Sequence, residues 1–276
     1  MSRISVVIPT IGRQYLVSAV ESVLLQLESG DECVVVVDGP RSLPRLPASR
    51  QVRIVRLAIS GGPGAARNAG AATVTGDHLL FLDDDDEVAP DGVTILRQHA
   101  APGMGVVGWE ASLHADASTT IRKRNYVADD EAGRIGARPV PNVGATLVPF
   151  EAFVPFDVRL PASEDVEWWM RQAPRMCIQN CRDVVLLSRR HDAPRRSGDV
   201  PAKLAAREEI IARHADYLAA HPAAAHYQFR RAAGFAYALN DMTRARRYYT
   251  EAFRRRPTLR GLARVLQTSA RLKPAA

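Results

Sequence analysis

Residues 79–87 have the sequence LLFLDDDDE, in which four apolar residues run directly into five consecutive acids. An apolar run of this kind is typical of a buried strand, and the acids are then expected at its carboxyl end. Neighbouring carboxylates repel one another, and a cation relieves that repulsion. Because no His or Cys lies beside them, the oxygen ligands favour Mg²⁺ or Mn²⁺. The alternative is a solvated acidic turn without an ion.

Apolar strand patterns and helical patterns alternate around this stretch. Strands are predicted over residues 2–9, 32–37, 53–57 and 78–82, and helices over residues 16–26 and 65–72. This alternation predicts an α/β fold with a doubly wound, mostly parallel sheet. Ligands of such sheets bind beyond the carboxyl ends of the strands. Thr10, Asp38 and Asp83–Asp86 all follow strand ends, so we expect them at one edge.

The glycine-rich turn at residues 61–64, GGPG, precedes the second predicted helix. It has the register of neither a dinucleotide-binding fingerprint nor a P-loop, and it could be only a turn. A glycine turn that opens a helix also presents free N–H groups, however, and Arg67 adds a positive charge suited to phosphate.

Two later segments carry candidate functional side chains. Ser163 is a natural N-cap, and Glu164, Asp165 and Glu167 fall in the first turn of a predicted helix, where the helix dipole favours acids. Helix capping alone explains these acids, and use of one of them as a general base is the alternative. His191 follows a strand predicted over residues 184–187. It is either polar surface or a side chain that folds back towards a metal.

Composition limits the class of protein. The 276 residues carry a net charge of +7, but residues 201–276 hold 15 Lys and Arg against 5 Asp and Glu. A near-neutral body with a basic C-terminal part argues against a nucleic-acid-binding protein. No apolar run reaches membrane-spanning length, no secretory signal is expected, and the three cysteines are predicted to be free thiols. We therefore expect a cytoplasmic protein with domains at residues 1–200 and 201–276.

Five motifs occur in the order and spacing of a known family. They are VIPT at residues 7–10, VVDG at 36–39, GAARNAG at 64–70, FLDDDD at 81–86 followed by Pro90, and FD at 156–157 leading to SED at 163–165. Over residues 3 to about 197 the chain resembles a family 2 glycosyltransferase of the GT-A fold. The resemblance implies inverting transfer of a sugar from a nucleoside diphosphate sugar to an acceptor hydroxyl, with Mn²⁺ or Mg²⁺ as the cofactor.

The resemblance also implies roles for the residues at the sheet edge. Asp38 would bind the nucleobase, and Asp83 would contact the nucleoside or its ribose. Asp85 would bind the divalent ion, with His191 as a further metal ligand. Four successive aspartates leave the register open by one, so either neighbour of Asp85 could replace it. The remaining nucleotide-binding residues would be Pro9, Thr10, Arg67 and Asp84.

In the last of the five motifs, the resemblance implies that Asp165 is the general base that deprotonates the acceptor, with Glu164 as its neighbour. The sequence departs from the family at Val37, because VVDGP has one acid fewer than the usual VDDGS. The QxxRW signature of processive synthases is absent after Asp165. Transfer of a single sugar to a discrete acceptor is therefore favoured.

The C-terminal residues 201–268 are predicted to be helical. Ala245, Tyr249, Ala252 and Pro257 have the spacing of the second half of a tetratricopeptide repeat, which predicts a helical hairpin. Its arginines form either a solvated face or a contact with the inner membrane face or an acceptor. The acceptor itself is a glycan, a lipid-linked molecule or a small molecule.

Two other functions are compatible with parts of the pattern. A nucleotidyltransferase also binds Mg²⁺ through carboxylates, but it needs a glycine-rich loop directly after the first strand, where PTIGR has a single glycine. A non-catalytic scaffold that docks a partner through the helical tail is the second alternative. The intact acids at positions 83, 85, 164 and 165 argue against it.

Overall fold

The computed structural model describes residues 2–114, 118–123, 136–137, 139–189 and 199–271. The chain divides into two compact units. The sheet unit comprises residues 1–129, 141–158 and 171–192, and the helical unit comprises residues 130–140, 159–170 and 193–276. The domain boundary predicted at residue 200 stays a prediction.

The sheet unit contains nine strands within the described residues. They are β1 (Ile4–Thr10), β2 (Glu32–Val37), β3 (Val52–Arg56), β4 (His78–Phe81), β5 (Asp86–Val88), β6 (Met104–Leu113), β7 (Thr119–Arg122), β8 (Thr146–Pro149) and β9 (Cys177–Arg189). The strand order is β3-β2-β1-β4-β8-β6-β9-β5, and β7 pairs with β6. The α/β class and the GT-A-type sheet predicted from the sequence are confirmed.

The parallel, doubly wound part of the sheet is β3-β2-β1-β4, where all three pairings are parallel. The remaining strands pair in an antiparallel manner except for β6 with β9. β1, β2 and β4 are buried along their whole length, which is why their sequences are mostly apolar. The carboxyl ends of β1, β2 and β4 lie on the same side of the sheet because these strands run in the same direction.

The helices are α1 (Leu16–Leu24), α2 (Gly62–Ala71), α3 (Gly92–Gln98), α4 (Glu164–Gln172), α5 (Val200–Arg213), α6 (Ala215–Ala220), α7 (Pro222–Ala238), α8 (Met242–Arg255) and α9 (Leu259–Arg271). α2 begins three residues before the predicted start, since Pro63 is compatible with a first helical turn. β9 extends far beyond the predicted residues 184–187, because its first half mixes exposed polar residues with buried Ile178 and Cys181.

The helical unit has a core of its own. Ala232, Ala233 and Ala236 of α7 pack against Ala245, Tyr248 and Tyr249 of α8, and Leu204 of α5 joins them. Asp241 caps α8 by accepting a hydrogen bond from the backbone N–H of Arg244. The helical C-terminal extension is thus confirmed, with α7 and α8 as its hairpin. Among the described helices, none has the length and apolar composition needed to cross a bilayer.

Candidate active site

The four aspartates after β4 form a tight turn at the carboxyl edge of the sheet. The backbone N–H of Asp86 donates to the carbonyl oxygen of Asp83 at 3.0 Å, which closes the turn. The chain then continues as β5, which pairs with β9 so that Asp86 lies opposite Ser188. The turn crowds four carboxylates into one place, and that crowding is the basis of the site.

Three of these carboxylates are arranged so that a metal ion could bind between them. One oxygen each of Asp83, Asp85 and Asp86 lies within 4.8 Å of the other two. Asp84 is directed elsewhere, because its Oδ2 accepts a hydrogen bond from the hydroxyl of Thr10 at 2.6 Å. The three grouped carboxylates are a donor set of the kind that Mg²⁺ and Mn²⁺ prefer.

Burial and mutual repulsion make the negative charge of this turn costly. Burial raises the pKa of Asp86 well above its usual value, and the charges of Asp83 and Asp85 raise it further. Burial likewise raises the pKa of Asp84, although the hydrogen bond from Thr10 and the charge of Arg13 oppose the shift. A bound cation would lower both pKa values, so the electrostatics of the turn suit a cation.

Two arginines contact the acids from different parts of the sheet unit. Arg67 on α2 is buried, and its Nη2 donates to Oδ1 of Asp83 at 2.5 Å. Its guanidinium also lies 5.3 Å from the ring centroid of Phe156, a cation–π distance. Arg13, three residues after β1, donates to Asp85 at 2.9 Å and lies 3.5 Å from Asp84. Phosphate oxygens are typical partners of arginines placed in this way.

Asp38, at the end of β2, is bound to the glycine-rich turn. Its carboxylate accepts hydrogen bonds from the hydroxyl of Ser60 at 2.8 Å and from the backbone N–H groups of Gly61 and Gly62 at 2.7 and 3.0 Å. It therefore caps the amino end of α2, where the helix dipole favours a negative charge. The N–H groups expected to be free for phosphate at Gly61 and Gly62 thus have Asp38 as their partner.

The motif after the glycine turn holds α2 in place through two contacts. The side-chain amide of Asn68 donates to the carbonyl oxygen of Phe156 at 2.9 Å and accepts from its N–H at 2.7 Å. A Cβ atom on Gly70 would lie 2.4 Å from Val7 Cγ1, so only glycine permits α2 to approach β1 this closely. Asn68 and Arg13 are two residues of the site to which the sequence analysis assigned no role.

The second acidic segment belongs to the helical unit. Glu164, Asp165 and Glu167 lie in the first turn of α4, as predicted. Asp165 accepts a hydrogen bond from the N–H of Val166 at 2.8 Å. Burial lowers the pKa of Arg207 to about 10, and the nearby charge of Asp165 opposes that shift. Asp165 therefore lies within electrostatic range of a buried guanidinium.

Of the predicted site residues, the structure brings Thr10, Asp83, Asp84, Asp85 and Arg67 together in the sheet unit. Pro9 is buried in β1 beside Val36 of β2. Glu164 and Asp165 lie in the helical unit, and His191 lies outside the described residues. The roles assigned to these residues stay predictions.

Comparison with known proteins shows which proteins this chain resembles. Residues 5–133 match the family model described as glycosyl transferase family 2. An uncharacterized glycosyltransferase of Haemophilus influenzae is 35% identical over 91 residues, which cover 32% of this chain and 31% of that protein. The succinoglycan biosynthesis protein ExoO of Rhizobium meliloti is 38% identical over 90 residues, which cover 31% of this chain and 26% of that protein.

Over residues 5–133 the chain is therefore similar to family 2 glycosyltransferases, which confirms the resemblance inferred from the motifs. It spans about a third or less of the length of these relatives. The crystal structure of S. aureus TarS 1–349 in complex with UDP has a TM-score of 0.61 at 16% identity, covering 96% of this chain and 88% of that one. The same protein in complex with UDP-GlcNAc has a TM-score of 0.55. These likenesses show the fold.

Proposed function

We propose that this chain is a metal-dependent, inverting glycosyltransferase that moves one sugar from a nucleoside diphosphate sugar to an acceptor hydroxyl. The observation that carries this proposal is the cluster of three carboxylates, those of Asp83, Asp85 and Asp86. The cluster lies at the carboxyl edge of the sheet, in the part of the chain that matches the glycosyltransferase family model. Ligands of such sheets bind at that edge. The family match alone names the class, and the acids indicate where the diphosphate would bind.

The three carboxylates would hold Mn²⁺ or Mg²⁺. When bound, the ion would neutralise the diphosphate and the charge that develops on it as the sugar leaves. The raised pKa of Asp86 supports this assignment, since crowded carboxylates without a cation are energetically unfavourable. Arg67 and Arg13 contact the same acids and add positive charge for the phosphates.

The nucleoside would lie against the ends of β1 and β2. Thr10 orients Asp84 through its hydroxyl, and Asp38 fixes the start of α2. In this proposal Asp38 binds the nucleobase while it also accepts hydrogen bonds from the glycine-rich turn. Asp83 binds the ribose while it also pairs with Arg67. Because the structures of TarS contain UDP and UDP-GlcNAc, a uridine nucleotide is the first donor class to test.

Asp165 would act as the general base, with Glu164 beside it. The base must remove the proton of the acceptor hydroxyl while the hydroxyl oxygen attacks the anomeric carbon opposite the leaving group, which inverts the configuration. Arg207, buried in the same unit, favours the ionised carboxylate of Asp165 by electrostatic attraction. The missing QxxRW signature supports transfer of one sugar without processive elongation.

The acceptor is proposed to be a glycan, a lipid-linked molecule or a small molecule, and the protein is proposed to act in the cytoplasm. Contact with the inner membrane face through the basic C-terminal part belongs to the same proposal. Neither the nucleotidyltransferase nor the scaffold alternative gains support from a contact in the described residues.

Thermal unfolding with UDP, GDP, dTDP and CMP, each with and without Mn²⁺, tests the donor and the metal together. A ligand at tenfold its Kd stabilises the folded state by about 1.4 kcal/mol, which is visible as a rise in Tm. We expect one nucleoside diphosphate to raise Tm only when Mn²⁺ is present. A shift with none of them would favour the scaffold, and an equal shift without the metal would remove the metal from the mechanism.

Two variants separate binding from chemistry in this assay. Asp165→Asn should keep the metal-dependent rise in Tm while transfer falls by about 10² to 10⁴, the usual contribution of a general base. Asp83→Asn should show no metal-dependent rise in Tm, because it removes one of the three carboxylates proposed to bind the metal. If Asp165→Asn transferred sugar at the normal rate, the assignment of the base would be wrong while the donor site would stand.

A further inference from the structure

The last described helix, α9, exposes its most apolar side. Leu259, Leu262 and Leu266 are 89%, 41% and 60% exposed. Ala263 and Ala270 are exposed as well, and the spacing places all five residues along one side of the helix. We name this surface the leucine face. An amphipathic helix of a soluble bundle normally packs such a face inward, so its exposure requires an explanation.

The opposite side of α9 is the one that packs on the helical unit. Thr268 is fully buried there, and Val265 packs against the core formed by α7 and α8. A Cβ atom on Gly261 would lie 3.3 Å from the ring of Phe253, so the backbone approaches α8 closely. Gly261, Val265 and Thr268 of α9 are thus used for packing within the protein, and its leucines face outward.

Arginines border the leucine face on one side. Arg260, Arg264 and Arg271 follow each other at intervals of four and seven residues, which places them on one stripe beside the leucines. No Asp or Glu occurs in the sequence after Glu251. Arg254, Arg255 and Arg256 at the end of α8 are exposed and add to the positive charge of this end of the unit.

We propose that α9 docks on an anionic lipid surface, with the leucine face inserted at the level of the headgroups and the arginines on the lipid phosphates. Helices that combine an exposed apolar face with a bordering row of basic residues bind membranes in this way. Apolar burial supplies one part of the affinity, and attraction to anionic headgroups supplies the other. The proposal specifies which surface makes the membrane contact and does not depend on sugar transfer.

Charge complementarity favours lipid over a second copy of this chain as the occupant. Two copies joined through the leucine face would bring six arginines of α9 together, and that helix has no acid to compensate them. An anionic membrane surface supplies the missing negative charge continuously along the helix. The same helix therefore repels its own copy and attracts a bilayer.

Co-sedimentation of the full chain with vesicles tests the proposal without donor or acceptor. We expect binding to phosphatidylcholine vesicles that contain phosphatidylglycerol, and weaker binding to phosphatidylcholine alone. The double variant Leu262→Gln/Leu266→Gln should weaken binding at least about tenfold, because two apolar side chains no longer enter the interface. Arg260→Gln/Arg264→Gln should weaken binding about fivefold per arginine, to the anionic vesicles only.

Matched controls exist elsewhere in the chain. Leu25 is 87% exposed on the sheet unit, so Leu25→Gln removes an equally exposed leucine. Arg45→Gln/Arg50→Gln makes the same change of charge at two exposed arginines. Neither control should alter vesicle binding. Since all these side chains are exposed, the Tm of each variant should stay near that of the parent, which verifies folding.

Three outcomes would overturn the proposal. The first is the absence of binding to either vesicle, and the second is binding that the leucine variant leaves unchanged. The third is a dimer in light scattering that the leucine variant converts to monomer, which would make the leucine face a contact between copies. Because no nucleotide is present, failure here leaves the proposed sugar transfer untouched, and failure of sugar transfer leaves this test valid.

Discussion

The acids with shifted pKa values at the amino ends of the parallel strands differ from those at the carboxyl ends. At the amino-terminal edge, Glu32 accepts hydrogen bonds from Arg53, Ser5 and Thr75. Burial raises the pKa of Glu32, but these bonds outweigh it and hold the pKa below its usual value. Asp77 beside it also has a lowered pKa, because the backbone and side chain of Arg3 donate to it.

At the carboxyl-terminal edge the shifts have the other sign. Burial raises the pKa of Asp84 and of Asp86, and the neighbouring acids add to both shifts. Arg67 pairs with Asp83, while Arg13 is shared between Asp84 and Asp85. These ion pairs set two arginines against three of the four aspartates, while the carboxylate of Asp86 accepts a hydrogen bond from the backbone N–H of Arg189.

The difference separates acids that stabilise the fold through protein partners from acids that the proposed metal ion would stabilise. A carboxylate whose partners belong to the protein lowers the free energy of the folded state on its own. A carboxylate with a raised pKa costs folding energy, and such sites recur where function requires them. Four predictions test this distinction, beginning with the largest expected effect.

Asp85→Asn should lower sugar transfer at least about 100-fold, since it removes one of the three carboxylates that are proposed to bind the metal. The Tm of the metal-free protein should stay near that of the parent, because the loss of a repelling charge offsets the loss of the ion pair with Arg13. Transfer assays and thermal unfolding of the same preparation measure both effects.

Asp91→Asn is the matched control for this change. Asp91 is an exposed acid that follows the cluster, and its positive φ of 59° suits asparagine equally well. It should leave transfer and Tm unaltered. Normal transfer by Asp85→Asn would mean that the carboxylate group has no part in the reaction.

Asn68→Ala tests whether neutral hydrogen bonds, rather than the acids, hold the carboxyl edge together. It leaves both backbone groups of Phe156 without their side-chain partner, which should lower the free energy of unfolding by about 2–3 kcal/mol. Asn68→Asp keeps the acceptor but places a carboxylate oxygen against the carbonyl oxygen of Phe156, so it should cost at least as much. Chemical denaturation measures both variants, and a cost near zero would show that α2 is held by other contacts.

Glu32→Gln should lower the free energy of unfolding at neutral pH by about 1–2 kcal/mol, since charged hydrogen bonds from Arg53 become neutral. A carboxyl with a lowered folded-state pKa stabilises the protein above its unfolded-state pKa and ceases to do so as the pH falls through the folded-state value. The difference in the free energy of unfolding between parent and variant should therefore become smaller at acidic pH. Glu21→Gln, at an exposed position on α1, should show no gap at any pH.

Sequence patterns predict those features of the fold and the site that depend on neighbouring residues in the chain. β1, β2 and β4 are buried along their whole length and mostly apolar because both faces of the sheet are covered, and the four aspartates come shortly after β4. The first turn of α4 was predicted for the same reason, since acids at a helix start are a local signal. The family motifs then gave the class of the fold.

Contacts between distant residues were beyond the reach of such patterns. Asn68 and Phe156 are 88 residues apart, and Arg13 and Asp85 are 72 apart. Within the run of four aspartates, nothing in the sequence distinguishes Asp84, which turns to Thr10, from its neighbours. The direction of each carboxylate is set by the turn and by the strands around it.

The smallest expected effect concerns Asp86, and its sign is opposite to that of Glu32. Because its pKa is raised in the folded protein, the ionised carboxylate costs stability as the pH rises above its unfolded-state pKa. Asp86→Asn should therefore raise the Tm of the metal-free protein at neutral pH, by a few degrees at most. The gain should disappear in acid, where the parent carboxyl is protonated.

Without metal the Tm of Asp86→Asn should be the higher one, and with added Mn²⁺ the Tm of the parent should be the higher one. The parent should gain Tm with the metal, whereas Asp86→Asn, with one ligand fewer, should gain little. Asp91→Asn should respond to Mn²⁺ as the parent does. If Asp86→Asn lowered the metal-free Tm, then Asp86 would stabilise the fold through the N–H of Arg189, as Glu32 does through its own partners, and the distinction between the two edges would fail.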